Sequence, residues 1–200
     1  PYEFIVFAEE IDLITEFDLA MCRKVIAKLA SQDADASVKG VAINISGRSI
    51  NSSPFVEALN ALIDRYPSVR GGLMFEITES ARIRDLAHAN DVIQALRKRG
   101  FQVCLDDFGA GEAAFDYLRE LEVDFVKIDG KYVKDAASNS RDKAFLTAMS
   151  SLCHDLGITT IAEGIESESI LDFLRDCGIT YGQGFVFGSQ EGLTAPQISK

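Results

Sequence analysis

The 200-residue sequence predicts an α/β fold in which parallel strands alternate with helices and close into a (β/α)8 barrel of the TIM type. Two observations support this class. First, short apolar runs and segments of helical periodicity alternate six times, which is typical of parallel strands joined by right-handed crossovers. Second, each apolar run carries a polar residue near its carboxyl end, and side chains from many successive strand ends converge only if the sheet curls shut.

The main alternative is an open doubly wound sheet. Such a sheet usually has a glycine-rich phosphate-binding loop after its first strand, and Asn-Ile-Ser-Gly-Arg at residues 44–48 matches that loop poorly. Barrels of this type need about 250 residues. Because the chain is shorter and starts abruptly at Pro1, we expect one N-terminally incomplete barrel domain over residues 1–200, with its first one or two strands upstream.

The first half of the chain is expected to contain two strands and three helical segments. Apolar residues recur at helical spacing in these segments, Pro54 lies in a first turn, where proline is tolerated, and Gly100 marks a helix end. In order, the segments are a helical region at 4–30, a polar connector at 31–39, a strand at 41–46, a helix at 53–66, a strand at 73–78 and a helix at 85–99.

The second half is expected to alternate four more strands with three helices. Gly157 and Gly178 each follow one of these helices, as expected of helix ends. In order, the segments are a strand at 103–105 that ends at two aspartates, a short helix around 113–121, a strand at 124–129, a helix at 141–156, a strand at 158–163, a helix at 167–177 and a strand at 179–187.

Composition narrows the classes of protein and of partner. Nearly half of the residues (47%) are hydrophobic, which is enough for a sizeable core, and the net charge of −11 argues against DNA or RNA as a partner. The four cysteines are widely spaced without a Cys-x-x-Cys motif, which favours a reduced, cytoplasmic setting. No apolar run approaches the roughly 18 residues that span a bilayer, and no signal peptide opens the chain, so we expect no membrane insertion.

The decapeptide at residues 102–111 organises the chain. Its apolar run ends in two adjacent carboxylates, Asp106 and Asp107, and then in a glycine loop, which is typical of a buried strand that carries charge to its carboxyl end. Neighbouring ionised carboxylates repel each other and lose solvation when partly buried, so a divalent cation is the expected counter-charge. In isolation, the decapeptide is also compatible with a solvated Asp-Asp turn.

Other predicted strand ends supply further oxygen ligands. Asn44 and Glu76, together with Asp106 and Asp107, form a set of hard ligands that suits Mg²⁺ or Mn²⁺ and not zinc or copper. The two histidines of the chain lie in predicted helices, which argues against a histidine-based triad or a zinc site.

Three more strand-end residues suggest chemistry on a phosphate ester. Lys127 lies in an apolar strand and either forms a structural ion pair with Asp129 or Glu120, or stabilises charge in a site. Glu163 either caps a turn or acts as a base, and Gln183, which stands between two glycines, is expected to satisfy backbone groups. Together with the oxygen ligands, these residues fit metal-assisted hydrolysis of a phosphate ester.

These residues fall in six motifs whose order resembles that of the EAL domain family, from Pro1 to about Gly188. That family comprises bacterial phosphodiesterases that linearise cyclic di-GMP to pGpG. The resemblance therefore implies a modified barrel with one antiparallel strand and two magnesium or manganese ions. The motifs are Asn-Ile-Ser-Gly-Arg (44–48), Glu-Ile-Thr-Glu (76–79), Asp-Asp-Phe-Gly-Ala-Gly (106–111), Lys-Ile-Asp (127–129), Glu-Gly-Ile-Glu (163–166) and Gly-Gln-Gly-Phe (182–185).

The resemblance also implies a role for each matched residue. The first metal is bound by Asn44, Glu76 and Asp106, and Asp106 and Asp107 bridge to the second. The remaining roles are water or phosphate contact by Lys127, a base or water-positioning role for Glu163, water ordering by Gln183, support of the glycine loop by Glu79, and further contacts to substrate or ligands by Arg48, Asp129 and Glu166.

Three departures from the family pattern stand out. The Glu-Ala-Leu signature and its arginine, which supply a metal ligand and a phosphate contact, are expected upstream of Pro1. Glu112, Ala113 and Ala114 replace residues of a loop that couples metal binding to dimerisation in the family. Gln190 stands where the family often has proline, a minor change.

The resemblance favours a cyclic di-GMP phosphodiesterase domain whose parent protein is active, whereas these 200 residues alone are expected to be inactive. The alternatives are a catalytically inactive EAL domain that acts as a cyclic di-GMP receptor or protein-interaction module, and an unrelated barrel enzyme acting on another phosphate ester. Expected partners are cyclic di-GMP, a second copy of the domain bound through the loop after Asp107, and other signalling domains in the parent chain.

Overall fold

The computed structural model describes residues 2–31, 40–78, 83–109 and 114–187. Within these ranges the chain forms two compact units, each built from parallel strands and helices. The first unit comprises the residues up to Val103 together with Arg119–Glu122. The second comprises Cys104–Leu118 and the residues from Val123 onward.

The first unit is organised around a parallel pair of strands. Asn44 pairs with Glu76 in the unshifted register of β1 (Val41–Ser46) and β2 (Leu73–Thr78). The helix α4 (Ser53–Arg65) buries apolar residues at every fourth position, namely Phe55, Leu59 and Ile63. The elements are α1 (Tyr2–Glu10), α2 (Ile14–Ala30), β1 (Val41–Ser46), α3 (Gly47–Ile50), α4 (Ser53–Arg65), a 3₁₀ helix (Pro67–Val69), β2 (Leu73–Thr78) and α5 (Leu86–Lys98).

The second unit contains most of β3 and the strands that follow it. Parallel pairing joins β3 to β4, β4 to β5 and β5 to β6. Its core includes Leu105, Val126 and Ile128, which are almost fully buried. The elements from β3 onward are β3 (Gln102–Phe108), α6 (Ala114–Glu120), β4 (Phe125–Ile128), α7 (Gly130–Ser138), α8 (Ser140–Asp155), β5 (Thr159–Ala162), a 3₁₀ helix (Glu168–Ile170), α9 (Leu171–Asp176), β6 (Tyr181–Gly182) and a 3₁₀ helix (Phe185–Phe187).

The structure differs from the sequence-based elements at several points. The helical region at 4–30 is two helices, because Asp12 adopts a left-handed φ of 57° that ends the first. The strand at 103–105 continues through both aspartates to Phe108. The helix Gly130–Ser138 was missed, since its buried residues are Val133 and Ala136, too few for a clear apolar period. The last strand is Tyr181–Gly182 and not 179–187.

All four cysteines are buried and free. Within the described ranges, no helix is long and apolar enough to cross a membrane. Most of the polar connector predicted at 31–39 lies outside the described residues.

Candidate metal centre

The candidate site includes a bulge in β3. The register between β3 and β4 shifts between Leu105 and Phe108, so that Asp106 and Asp107 together lie opposite Lys127. Asp107 has a left-handed φ of 55°. Consecutive side chains of a regular strand point to opposite faces, whereas a bulge re-aims them. The bulge therefore allows two adjacent aspartates to serve one site.

Three carboxylates converge at the carboxyl ends of β3 and β5. Asp106, Asp107 and Glu163 each offer an oxygen, and these oxygens all lie within 4.8 Å of one another. Asp106 is buried, Glu163 is half-buried and Asp107 is exposed, so the cluster opens from the protein interior toward solvent. Among the predicted site residues, these three are thus brought together.

The ammonium group of Lys127 lies inside this cluster. Lys127 Nζ is 2.9 Å from Asp106 Oδ1 and 2.7 Å from Glu163 Oε1, and the lysine side chain is only 5% exposed. Lys127 is therefore paired with Asp106 on β3 and with Glu163 just after β5, and its role in stabilising charge during a reaction stays a prediction. One ammonium faces three carboxylates, so the group keeps an excess of negative charge.

The protonation equilibria of the cluster reflect this crowding. Burial raises the pKa of Glu163, the Lys127 charge opposes that rise, and Asp106 and Asp107 add to it. Although Asp107 remains accessible at the surface, partial loss of solvation also raises its pKa, with further increases from the charges of Asp106 and Asp129. Raised pKa values mean that these crowded carboxylate oxygens favour the binding of positive charge. Such a group of oxygens is suited to a hard divalent cation such as Mg²⁺ or Mn²⁺.

The segment after β6 lies beside the Glu163 segment. The backbone N–H of Gln183 donates to Ala162 O at 2.8 Å, and Ile165 N donates to Gln183 O at 3.1 Å. Gly184 approaches so closely that an added Cβ would lie 2.1 Å from Ile165 O, which only glycine permits. These contacts place Gln183 next to Glu163, with the glutamine side chain exposed.

Two other predicted residues flank the cluster. Asp129 caps α7, because its Oδ1 accepts a hydrogen bond of 2.7 Å from Lys131 N, and its charge also raises the pKa of Asp107. Glu166 forms an exposed ion pair of 3.1 Å with Lys134. Its role in a site therefore stays a prediction.

The remaining predicted residues belong to the first unit or lie outside the described ranges. Asn44 and Glu76 are register partners on β1 and β2, so both side chains lie on the same face of this strand pair, with Glu76 buried and Asn44 exposed. Arg48 donates to Glu9 O at 2.9 Å and forms an ion pair with Asp12. The roles of these residues in metal or substrate binding stay predictions, and Glu79 lies outside the described residues.

Sequence reasoning missed Asp18, a buried acid on α2. Its Oδ2 accepts hydrogen bonds from Ser46 N at 2.9 Å and from Ser49 Oγ at 2.7 Å, so it fixes the turn that follows β1. Burial raises the pKa of Asp18. The sequence does carry a signal, because Asp18 interrupts an apolar stripe between Ile14 and Cys22 at spacings of four residues.

The comparison of sequences gives one family and several curated relatives. The sequence model of the EAL domain family matches residues 1–190. The cyclic di-GMP phosphodiesterase PdeB of Shewanella oneidensis is 36% identical over 195 residues, which are 98% of this chain and 23% of PdeB. The chain thus spans about a quarter of the length of this relative.

Solved structures give a matching result for the fold. The EAL enzyme Bd1971 with cAMP and cyclic di-GMP bound matches with a TM-score of 0.82 and 28% identity, over 94% of this chain and 52% of that one. The FimX EAL domain of Pseudomonas aeruginosa bound to c-di-GMP matches with a TM-score of 0.80 and 25% identity, over 100% of this chain and 77% of that one. These likenesses confirm the predicted α/β class and TIM-type barrel fold.

Proposed function

Because the chain belongs to the EAL domain family, we propose that it is the catalytic domain of a cyclic di-GMP phosphodiesterase that hydrolyses cyclic di-GMP to linear pGpG. The observation that carries this proposal is the convergence of Asp106, Asp107 and Glu163 around the Lys127 ammonium. The name of the relative PdeB, a cyclic di-GMP phosphodiesterase, supports the same substrate.

We propose that the carboxylates hold Mg²⁺ or Mn²⁺ ions in a two-metal site. Asp106 and Asp107 are placed to bind them, and Asn44 and Glu76 are proposed to complete the coordination of the first ion. When bound, such ions polarise a phosphoryl oxygen and lower the pKa of water. The raised pKa of Asp107 supports this assignment, because a cation relieves the same crowding that favours a proton.

Glu163 is the proposed base. Its raised pKa makes its carboxylate a better proton acceptor near neutral pH than a solvated glutamate. The 2.7 Å contact between its Oε1 and Lys127 Nζ holds the Glu163 carboxylate in position. Glu163 is thus suited to take a proton from the water that attacks phosphorus.

Lys127 and Gln183 are proposed to bind the reacting groups. The Lys127 ammonium is suited to stabilise negative charge that develops on the phosphoryl oxygens, since it is held in a buried position by Asp106 and Glu163. The exposed side chain of Gln183 follows β6 next to Glu163, where it can orient the attacking water. Substrate and ligand contacts by Arg48, Asp129, Glu166 and Glu79 are part of the same proposal.

The second candidate function is a cyclic di-GMP receptor without turnover. The observation that favours it is Glu112, which adds a negative charge to the loop after the cluster. A receptor needs the ligand-binding surface but not the base. Binding and hydrolysis must therefore be measured separately.

The decisive experiment follows pGpG release by anion-exchange chromatography in Mn²⁺, with the protein as its gene encodes it. Glu163→Gln is expected to lower kcat by about 10² to 10⁴ while retaining cyclic di-GMP binding. Glu168→Gln, which alters an exposed acid on a 3₁₀ helix, is the matched control and should leave kcat unchanged. Cyclic di-GMP binding without any pGpG release by the wild type would favour the receptor.

Three further properties belong to this proposal. Four free, buried cysteines favour the cytoplasm. The loop after Asp107 is proposed to mediate a homodimer. Since PdeB is about four times as long as the matching segment, other signalling domains are proposed in the parent chain.

A further inference from the structure

The first turn of α7 contacts the strand end that carries the aspartates. The Tyr132 hydroxyl donates a hydrogen bond to the Gly109 carbonyl oxygen. The tyrosine ring also lies against Gly109, where an added Cβ would be 2.8 Å from Tyr132 Cε2. Asp129 N donates to Phe108 O at 3.4 Å, so two successive carbonyls after Asp107 are bound by this turn.

The same turn contacts the segment that carries the proposed base. An added Cβ on Gly130 would lie 3.2 Å from Glu163 O and 3.2 Å from Gly164 Cα. The backbone of α7 therefore abuts the backbone of Glu163 directly. Only a residue without a side chain allows this approach without displacing one of the two segments.

The turn itself is braced internally. Tyr132 N donates to Asp129 O at 3.0 Å, and Lys131 N donates to Asp129 Oδ1 at 2.7 Å. A braced turn that touches one segment through Tyr132 and another through Gly130 fixes the distance between them. Those two segments carry Asp107 and Glu163.

We propose that Tyr132 is a positioning residue, and that the turn Asp129–Tyr132 sets the spacing between the β3 aspartates and Glu163 that metal binding requires. This inference rests on the proposed function, because it assumes that the cluster binds a metal. The structural reason is the conformation of the strand end. Asp107 has a left-handed φ of 55°, which a residue with a side chain holds only when its surroundings restrain it, and the freely adaptable Gly109 follows two residues later.

The hydroxyl of Tyr132 supplies one such restraint. Without it, the Gly109 carbonyl loses a donor, and the backbone after Asp107 gains freedom to move away from Glu163. Metal ligands must be held within a few tenths of an ångström of their bonding distances. Loss of the Tyr132 hydroxyl is therefore expected to weaken metal binding and not only to lower the stability of the fold.

The test is a titration of the full chain with Mn²⁺ by calorimetry, without nucleotide, so that no turnover is needed. Tyr132→Phe removes only the hydroxyl and should raise the Kd for Mn²⁺ about threefold to tenfold, the range expected for one lost hydrogen bond. Tyr66→Phe removes a hydroxyl in the first unit and should leave the Kd unchanged. Gly130→Ala should also raise the Kd, because the added methyl group displaces the Glu163 backbone.

The outcomes separate this inference from the proposed function. An unchanged Kd for Mn²⁺ in Tyr132→Phe overturns the positioning role, whether or not the metal-free variant in EDTA also melts at a lower temperature. A wild type that binds no Mn²⁺ overturns it as well. A raised Kd in Tyr132→Phe, together with a wild type that releases no pGpG, supports the positioning role and overturns the phosphodiesterase. A raised Kd in both Tyr132→Phe and Tyr66→Phe overturns the role, because the effect is then not specific to the turn.

Discussion

Lys127 Nζ lies 2.7 Å from Glu163 Oε1, so the buried ammonium of β4 is paired directly with the carboxylate that follows β5. The same ammonium lies 2.9 Å from Asp106 Oδ1. Charges taken out of water are tolerated only when they are paired, and removing one partner leaves the others uncompensated. The stability of this part of the fold and the chemistry of the site therefore depend on the same atoms.

Replacement of Lys127 by methionine is expected to lower the free energy of unfolding by about 3 kcal/mol, the cost of breaking a buried ion pair. The measurement is urea unfolding followed by circular dichroism. Lys134→Met is the control, because Lys134 and Glu166 form an exposed pair with side chains 68% and 63% accessible. That change should cost less than about 1 kcal/mol, and equal losses for the two variants would contradict the buried pair.

The buried carboxyl of Asp18 predicts a pH dependence of stability. Burial raises its pKa in the folded state above the ordinary value of 3.8. Its proton is therefore held more tightly in the folded state, and the stability it contributes is complete below pH 3.8 and is lost as the pH rises through the folded pKa.

Asp18→Asn removes this titration while keeping an oxygen that can accept from Ser46 N. The difference in unfolding free energy, variant minus wild type, should therefore increase as the pH rises from about 4 to 8. Urea unfolding of both proteins across that range measures it. A constant difference would show that Asp18 has the same pKa in the folded and unfolded states.

Mn²⁺ binding should weaken as the pH falls from about 7.5 to 5.5. Loss of solvation, partial at Asp107, raises the pKa of both Asp107 and Glu163, so protons compete with the metal in this range more effectively than at fully solvated acids. Calorimetry in two buffers of different ionisation enthalpy should also detect protons released on binding. The idea fails if Kd is independent of pH and no protons are released.

The cysteines should be unreactive in the native state. Burial raises the pKa of Cys22 to about 12 and that of Cys153 to about 11, and all four thiols are buried. Because the thiolate is the reactive form, a chromogenic disulfide reagent should label four thiols in denaturant and react only slowly without it. Rapid labelling of one thiol in the native protein would place that cysteine at the surface.

The carboxylate cluster was predictable because its members lie at strand ends. Parallel strands bring their carboxyl ends to one edge, so Asp106 and Glu163 converge with Lys127 even though they are far apart in sequence. Its detailed geometry was not predictable. The left-handed φ of Asp107 arises from pairing with β4, and nothing in the local sequence encodes that register shift.

In the fold, too, some features were predictable from the sequence and others were not. The strands Val41–Ser46 and Leu73–Thr78 were predicted exactly from apolar runs, and the resemblance to the EAL domain family is confirmed by the family match. The helix Gly130–Ser138 was missed because most of its side chains are not buried, and the break at Asp12 depends on one backbone angle. Single dihedral angles and short helices with few buried side chains leave little trace in a hydrophobic pattern.

The most direct test of the central claim is a crystal structure grown with Mn²⁺, with anomalous diffraction used to locate the ion. We predict an anomalous peak within about 2.5 Å of carboxylate oxygens of both Asp106 and Asp107, with Lys127 still in contact with Glu163. A fully loaded crystal with no peak at this cluster, or with its peak at other residues, would contradict the account.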